Sequence, residues 1–216
     1  MNEAELKARV RDAVLARHFQ ETGEILIPVN VSARHVHLDQ NALSVLFGSG
    51  HTLTPMRGLV QPGQYACEET VTLRGRKGAL QNVRVLGPLR GSVQAELSVT
   101  DCYALGVPPV VRLSGNHAGT SGVVVQGPLG EIEIPRGAMV AMRHVHMPTE
   151  LARLFGMENG GTLSLITTGE RPAVLMQFAA RVSDDALLEA HVDTDEANAC
   201  GIVNDMLCRA VKEGKP

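Results

Sequence analysis

The tetrapeptide Arg-His-Val-His occurs twice in this chain, at residues 34–37 and 143–146. Successive side chains of a β-strand point to opposite faces, so the two histidines of each copy project from the same face. Two imidazoles held in this way can bind one zinc-like ion, because neutral histidine nitrogen is among the ligands that zinc prefers. Each copy therefore predicts a strand that carries part of a metal site.

A similar apolar stretch follows each copy of the tetrapeptide. The shared residues are Leu43, Leu46, Phe47 and Gly48 after the first copy, and Leu151, Leu154, Phe155 and Gly156 after the second. A strand with a histidine pair is thus followed twice by a short helix that ends at a glycine. This recurrence predicts an internal duplication that carries two metal sites.

The composition excludes several classes of function. The 216 residues carry a formal charge of −3, only 3% aromatic residues and no tryptophan, so the chain offers neither a cationic field nor stacking rings for nucleic acid. No apolar run reaches the length of a membrane span, and the charged amino terminus lacks the apolar core of a signal peptide. We therefore expect a cytoplasmic protein that binds neither nucleic acid nor membrane.

The residue pattern from residue 51 onward predicts a mainly β fold. Short alternating segments are separated by many of the 22 glycines and 11 prolines. This pattern favours two small β-barrel domains, related by the internal duplication and capped by short α-helices. The expected segments are an amphipathic helix at 1–22, a first barrel half at 23–115 and a second at 116–216. Helical spacing of apolar residues over 194–212 predicts that the chain ends on a helix.

Residues 3–19 have the spacing of an amphipathic helix. Leu6, Val10 and Val14 recur at i, i+4 and i+8, while most of the charged side chains lie elsewhere on the helix. Such a stripe could dock on a partner, as an encapsulation tag does, or it could cap its own domain. The sequence leaves both interpretations open.

Each histidine pair needs a further ligand, since two histidines alone bind a divalent ion poorly. Glu96, on a predicted strand, is a candidate oxygen ligand, and Glu68 and Glu69 are competing acids that we expect to be solvated at a strand start. His191 lies in an alternating segment near the end of the chain and could complete one site. Its alternative interpretation is a structural histidine that holds the final helix.

Other polar residues surround these candidates in sequence. Either Glu189 or Asp193 could orient the ring of His191 as a hydrogen-bond acceptor. Arg90 follows a Gly-Pro turn and could hold phosphate as a bidentate clamp, although an exposed loop arginine is the simpler interpretation. We assign no role to the remaining histidines, which are His18, His51 and His117. The four cysteines show no Cys-x-x-Cys spacing and are expected to be reduced structural residues.

Several stretches, in order and spacing, resemble the PduL family of phosphotransacylases. These are phosphate propanoyltransferases associated with propanediol-degrading bacterial microcompartments. The stretches are VSARHVH at 31–37, QPGQY at 61–65, EETV at 68–71, VRVLGP at 83–88, RHVHM at 143–147 and HVDTDEAN at 191–198. The resemblance covers nearly the whole chain from about residue 25, and it is much more specific than one His-x-His pair.

The resemblance implies a two-barrel enzyme that contains two divalent metal ions, expected to be Zn²⁺. Such an enzyme interconverts an acyl-CoA and phosphate with an acyl phosphate and CoA. The positions that match the family's metal ligands are His35, His37 and Glu96 for one ion, and His144, His146 and His191 for the other. The CoA sulfur can complete the shell of the first ion, and Arg90 matches the phosphate-binding arginine. The resemblance also implies strand exchange between the barrels and a homo-oligomer.

The chain departs from the family at a few positions. Where the family commonly has Thr-Gln-Val-Glu, this chain has Val-Gln-Ala-Glu at 93–96, and Cys67 stands where alanine is frequent. Around residues 116–118 the family tends to be acidic, whereas this chain has Asn-His-Ala. No proposed ligand is lost, but the CoA-contacting residues and the acyl-chain preference stay open.

The expected mechanism is direct transfer of the acyl group in a ternary complex. One ion would stabilise the leaving thiolate, while the other and Arg90 would hold phosphate for attack. Propanoyl-CoA is the expected substrate, with acetyl-CoA as a second option. The alternatives are a dinuclear metallohydrolase of the thioesterase or phosphatase type, and a non-catalytic microcompartment assembly protein with structural metals. Location inside a microcompartment, through contacts of residues 3–19 with shell proteins, is compatible with the enzyme.

Overall fold

The structure, a computed structural model, describes residues 2–213. It contains two compact units: a first unit of residues 33–59 and 63–141, and a second unit that comprises the chain up to residue 32, residues 60–62 and the chain from residue 142 onward. Met1 and residues 214–216, at the ends of the predicted segments 1–22 and 116–216, lie outside the described residues.

Five helices and fourteen strands make up the described part of the chain. The helices are α1 (Glu3–Thr22), α2 (Gln40–Phe47), α3 (Val99–Leu105), α4 (Thr149–Phe155) and α5 (Thr194–Cys200). The strands are β1 (Ile25–Val31), β2 (His35–His37), β3 (Pro55–Gly58), β4 (Tyr65–Arg74), β5 (Ala79–Gly87), β6 (Gln94–Leu97), β7 (Val111–Arg112), β8 (Ser121–Gln126), β9 (Glu131–Ala141), β10 (His144–Pro148), β11 (Thr162–Ile166), β12 (Val174–Ser183), β13 (Glu189–Val192) and β14 (Met206–Lys212).

The first unit is a closed six-stranded barrel. Its strands pair in the ring order β2, β5, β4, β8, β9 and β6, and β6 pairs again with β2. The short strands β3 and β7 add to β4 and β9 outside this ring. The core consists of apolar side chains that include Val36, Leu73, Val85 and Ala95, all fully buried.

The second unit is a closed barrel of the same kind. Its ring order is β10, β12, β11, β14, β1 and β13. Every pair in this ring has the same parallel or antiparallel sense as the corresponding pair in the first unit. The predicted fold class, two β-barrels related by internal duplication and capped by helices, is thus confirmed.

The division of the chain differs from the linear halves expected at 115 and 116. Each repeat begins with a strand, β1 or β9, that runs into a histidine-bearing strand, β2 or β10. Strand β1 pairs within the second unit, and β9 pairs within the first. The chain therefore changes unit after residues 32 and 141, immediately before each Arg-His-Val-His segment.

Local sequence signals explain where the shorter helices begin and end. Asp39 caps α2 by accepting a hydrogen bond from the backbone of Ala42 at 2.8 Å. Asp193 and Glu196 form a capping box at the start of α5, and Gly201, with a φ of 66°, ends that helix. Side-chain oxygens satisfy the free N–H groups of a first turn, and glycine adopts the left-handed conformation at a helix end with little strain.

Helix α1 packs on the second unit through a face different from its apolar stripe. Ala8, Asp12 and Leu15 are buried, whereas Leu6, Val10 and Val14 are 50%, 59% and 62% exposed. Asp12 accepts a hydrogen bond from the backbone of Leu188 at 2.9 Å, and burial raises the pKa of its carboxyl. The helix is therefore a cap of its own unit that also presents an exposed apolar stripe.

The helix predicted for the end of the chain is wrong beyond residue 200. Helix α5 stops at Cys200, and the chain then forms the strand β14, which pairs with β1 and β11. Cys208 and Ala210 point into the core, as alternate residues of a strand do. Leu207 and Val211 on the exposed face are also apolar, so the sequence does not show this alternation. Among the described residues, no helix has the length and apolarity needed to cross a membrane.

Candidate functional site

The antiparallel pairing of β2 with β6 brings the first set of predicted ligands together. His35 lies directly opposite Glu96 in the register, and His37 is two residues farther along β2 on the same face. His35 Nε2 is 3.5 Å from Glu96 Oε2, and His37 Nε2 is 3.8 Å from Glu96 Oε1. All three side chains are buried. We call His35, His37 and Glu96 the first ligand set.

Backbone carbonyls orient both imidazoles of the first ligand set. His35 Nδ1 lies 2.9 Å from the carbonyl oxygen of Ala33, and His37 Nδ1 lies 3.2 Å from that of Leu86. A carbonyl oxygen only accepts, so the Nδ1 atoms carry the protons in these hydrogen bonds. The lone pairs of the Nε2 atoms then face Glu96, which is the arrangement typical of metal-ligating histidines.

The electrostatics of the first ligand set favour a neutral His37 and an ionised Glu96. Burial, His35 and the nearby Arg90 charge lower the pKa of His37 to about 3. Burial acts to raise the pKa of Glu96, but the two histidines outweigh it and hold that pKa well below its usual range. Burial acts to lower the pKa of His35, yet attraction to Glu96 raises it overall.

The second ligand set, His144, His146 and His191, is assembled by the equivalent strands of the second unit. Strand β10 runs antiparallel to β13, and His144 lies opposite His191 in the register. His144 Nε2 and His146 Nε2 are 3.2 Å apart, and the ring centroids of His144 and His191 are 5.1 Å apart. His144 Nδ1 lies 2.9 Å from the carbonyl oxygen of Met142, as His35 does from Ala33.

The electrostatics of the second ligand set are also compatible with cation binding. Burial and the adjacent histidines lower the pKa of His146 to about 3, so its imidazole is neutral at physiological pH. In both sets the potential ligand atoms lie within 4.8 Å of one another. Two histidines with a carboxylate, or three histidines, are donor sets that zinc and similar divalent ions accept with one position left for substrate or water. The residues therefore fit the metals that the sequence predicts.

Arg90 is connected to the first ligand set through Ser114. Its Nη1 donates to Ser114 Oγ at 3.0 Å, and Ser114 Oγ donates to Glu96 Oε1 at 2.8 Å. The side chain is partly buried, and its charge contributes to the lowered pKa of His37. Arg90 is thus a fixed cation beside the first ligand set rather than a free loop arginine.

The competing acidic residue Glu69 is not solvated, so the prediction for it is wrong. Glu69 is buried and accepts hydrogen bonds from the backbone of Thr54, and its Oε1 lies 2.8 Å from His51 Nε2. The pair ties the loop before β3 to β4, which gives His51 a structural role. Glu68 is exposed, as expected.

Sequence reasoning missed a polar network behind Glu96. Gln94 is 1% exposed and donates to Glu96 Oε1 at 2.6 Å and to Ser114 Oγ at 2.9 Å. Its Oε1 lies 3.0 Å from Nε2 of His117, a residue to which the sequence assigned no role. The signal was the i, i+2 spacing of Gln94 and Glu96, which places both side chains on one face of β6.

Glu189 contacts the second ligand set much as Gln94 contacts the first. Its Oε2 lies 3.0 Å from His191 Nε2. Burial acts to raise the pKa of Glu189, but His191 and two amide donors hold it at about 2. Asp193, the other predicted acceptor, instead caps α5.

Comparisons with known proteins agree with the resemblance. The family model "Phosphate propanoyltransferase" matches residues 28–203. The phosphate propanoyltransferase of Rhodobacter capsulatus is 45% identical over 192 residues, which are 89% of this chain and 89% of that protein. The proteins of the same name from Thermotoga maritima and Salmonella typhimurium are 49% and 46% identical, covering 80% and 82% of this chain and 83% and 85% of their own length. The chain therefore belongs to the phosphate propanoyltransferase family, a family of acyltransferases.

Proposed function

We propose that the protein interconverts acyl-CoA and phosphate with acyl phosphate and CoA. Extended similarity to phosphate propanoyltransferases is the observation that carries this proposal, since it spans most of both chains. The two ligand sets and Arg90 support it, because the reaction needs groups that stabilise a thiolate and bind phosphate. The ligand sets could hold metal ions for this purpose, and Arg90 could bind phosphate. Propanoyl-CoA is the proposed acyl donor, with acetyl-CoA as a slower substrate.

The proposed reaction is a direct attack of phosphate on the thioester. A phosphate oxygen forms a bond to the thioester carbonyl carbon, the carbon–sulfur bond breaks, and CoA leaves as a thiolate. Atoms and charge balance without an acyl-enzyme. The side chains support this direct route, because burial raises the pKa of the Cys67 and Cys208 thiols to about 11 and all four cysteines are buried. A buried neutral thiol is a poor nucleophile.

We propose that each ligand set holds one divalent ion and that both ions are required. His35, His37 and Glu96 would hold one, and the three histidines of the second ligand set would hold the other. When bound, such an ion is a Lewis acid that can stabilise a leaving thiolate or offset the charge of phosphate. The carbonyl acceptors of Ala33, Leu86 and Met142 keep the imidazoles in the tautomer that this binding needs.

Arg90 would bind phosphate in this reaction. A guanidinium presents a planar fork of donors that matches two oxygens of phosphate. Its hydrogen bond to Ser114 occupies Nη1 and restricts the side chain, so less freedom is lost when phosphate binds. Arg90 would thereby neutralise part of the phosphate charge and hold the nucleophile in position for attack.

Thiol release from propanoyl-CoA, measured with and without phosphate, tests the proposed function. We expect release only with phosphate, together with formation of propanoyl phosphate detected by ³¹P NMR. Release at the same rate without phosphate would contradict the proposal and identify a metallohydrolase. No release in either condition from zinc-loaded, folded protein would leave only the non-catalytic interpretation. Comparison of kcat/KM for propanoyl-CoA and acetyl-CoA tests the acyl preference.

We also propose that the exposed stripe of α1 contacts a microcompartment shell protein. Leu6, Val10 and Val14 support this proposal, because each is at least half exposed while the opposite helix face is occupied by contacts within the second unit. Replacing the three by Ser should abolish co-assembly with shell proteins and leave thiol release unchanged. Unchanged co-assembly of this triple variant would contradict the proposal. Deletion of residues 1–20 is a poorer test, since it also removes the cap.

A further inference from the structure

The register of β2 against β6 places Gln94 at a defined position of the first ligand set. His35 faces Glu96, and His37 faces Gln94. Gln94 is therefore directly opposite the second histidine of the set and two residues before its third ligand. Both Gln94 and Glu96 point to the same face of β6.

The register of β10 against β13 repeats this arrangement in the second unit. His144 faces His191, and His146 faces Glu189. Because the two barrels have equivalent strand rings, Glu189 occupies the position that Gln94 occupies in the first unit. Glu189 also contacts the third member of its set, with 3.0 Å between its Oε2 and His191 Nε2.

Both residues are held firmly by their own units. Glu189 is 5% exposed, its Oε1 accepts from Asn30 Nδ2 at 2.6 Å, and its Oε2 accepts from Gln61 Nε2 at 2.8 Å. Gln94 accepts from the backbone of Gly115 at 2.8 Å through the oxygen that His117 also contacts. These contacts fix the side chains independently of the ligand sets and leave them few alternative rotamers.

The identities of the two residues follow from the charge of each set. The first ligand set contains one carboxylate, Glu96, so a second carboxylate at position 94 would lie at hydrogen-bonding distance from it and repel it. The second ligand set contains three histidines and no carboxylate. A divalent ion in a buried site is costly without a compensating charge, and Glu189 supplies one.

From this correspondence we propose that Gln94 and Glu189 are equivalent positioning residues of the two metal sites, so that each site has one buried carboxylate. In the first unit the carboxylate is the third ligand and its support is neutral. In the second unit the third ligand is a histidine and its support, Glu189, is the carboxylate. The inference rests on the proposed function only in that both ligand sets bind metal.

Zinc binding measured without reference to activity tests this proposal. Chelator-stripped protein is titrated with Zn²⁺ in competition with a chromophoric chelator, and folding is checked by circular dichroism. The variants are Glu189→Gln, Gln94→Glu and the double variant Glu189→Gln/His191→Glu. Glu170→Gln is the matched control, because Glu170 is an exposed carboxylate of the same unit as Glu189.

We expect the wild type and the control to bind two ions with the same affinities. Glu189→Gln should lower the affinity for one ion by about 10- to 100-fold, because loss of a residue that supports a metal ligand typically has this effect. Gln94→Glu should weaken binding of the other ion, because a carboxylate cannot donate the hydrogen bonds that Gln94 gives to Glu96 and Ser114. The double variant rebuilds in the second unit the pattern of the first, so it should bind its ion more tightly than Glu189→Gln alone.

The proposal is overturned if Glu189→Gln binds both ions like the control, or if the double variant gains nothing over Glu189→Gln. It is also overturned if Gln94→Glu tightens binding, because the rule of one carboxylate would then fail. Should Glu189→Gln not fold, Gln94→Glu decides the rule in the other unit. Two bound ions in a wild type that shows no phosphate-dependent thiol release would refute the proposed function and leave the positioning roles standing.

The Co²⁺-loaded proteins give a second readout that a merely structural role would not move. The visible absorption of Co²⁺ reports the ligands and geometry of its site. A positioning residue predicts that Glu189→Gln changes the spectrum of one of two sites while its thermal unfolding stays close to that of the control. An unchanged spectrum with a large loss of stability would show a purely structural residue.

Discussion

Helix α1 offers a sharp test of which face is packed and which is exposed, because Val14 and Leu15 are neighbours with opposite environments. Leu15 is 5% exposed and belongs to the core of the second unit, together with Phe155. Leu15→Ala removes three buried carbons, which costs about 2.4 kcal/mol of transfer free energy, and the remaining cavity adds to this. The better helix propensity of alanine returns about 0.2 kcal/mol. We expect a loss of about 2–3 kcal/mol.

Val14→Ala should have almost no effect on the same helix. Val14 is 62% exposed, so the two carbons removed contribute only about 0.6 kcal/mol through burial. Replacing a β-branched residue by alanine in a helix returns about 0.5 kcal/mol. The two effects nearly cancel, and the free energy of opening should change by less than about 0.5 kcal/mol.

Hydrogen exchange of the α1 backbone amides measures this difference directly, because it reports the free energy of local opening. Leu15→Ala should accelerate exchange across α1 by roughly 30- to 150-fold, which is the expected free energy converted at 1.4 kcal/mol per tenfold. Val14→Ala should leave exchange within about twofold of the wild type. Equal acceleration by both variants would refute the orientation of α1 and, with it, the exposed stripe.

Further predictions concern the ligand sets, Arg90 and the buried acid of α1. His35→Ala and His144→Ala should each remove about one zinc per chain by metal analysis and reduce phosphate-dependent thiol release roughly 100-fold or more. Arg90→Ala should raise the KM for phosphate about tenfold or more, and Arg90→Lys should restore it only in part, since lysine lacks the planar fork. Burial raises the folded-state pKa of Asp12, so protonation favours the folded state and the contribution of this carboxyl to stability falls as the pH rises above its ordinary pKa of 3.8. Asp12→Asn should therefore gain stability relative to the wild type between about pH 4 and 7, and a urea series that shows the opposite slope would contradict this.

The histidine pairs were predictable from the sequence because their geometry is local. An i, i+2 spacing on a strand decides which face two side chains share, whatever the rest of the fold does. The third members, Glu96 and His191, were candidates from the sequence, but only the family resemblance assigned each one to a histidine pair, because the strands that carry them are distant in sequence. Their places opposite His35 and His144 depend on strand register, which no local pattern specifies.

The errors have similar physical causes. The final strand β14 exposes Leu207 and Val211 on its outer face, so its apolar residues mimic helical spacing. The boundaries of the two units could not be predicted from the residue pattern, because β1 and β9 look like ordinary strands and their partners lie far along the chain. Glu69 looked solvated because its partners, His51 and Thr54, come from a loop that only the folded barrel brings close.

Three expectations remain predictions with simple tests. Homo-oligomerisation can be measured by light scattering of the purified protein. Metal analysis of protein purified without added metal tests whether zinc is the native ion. Fractionation of cells that make shell proteins tests location inside a microcompartment.

In the proposed reaction, phosphate attacks the acyl-CoA and metal is needed in both ligand sets. The most direct measurement titrates Zn²⁺ into chelator-stripped protein and follows bound metal and phosphate-dependent thiol release from propanoyl-CoA in the same samples. We expect negligible release from the stripped protein, with activity that reaches its maximum only as the second equivalent of zinc binds. Full phosphate-dependent activity in protein that holds no metal would contradict it.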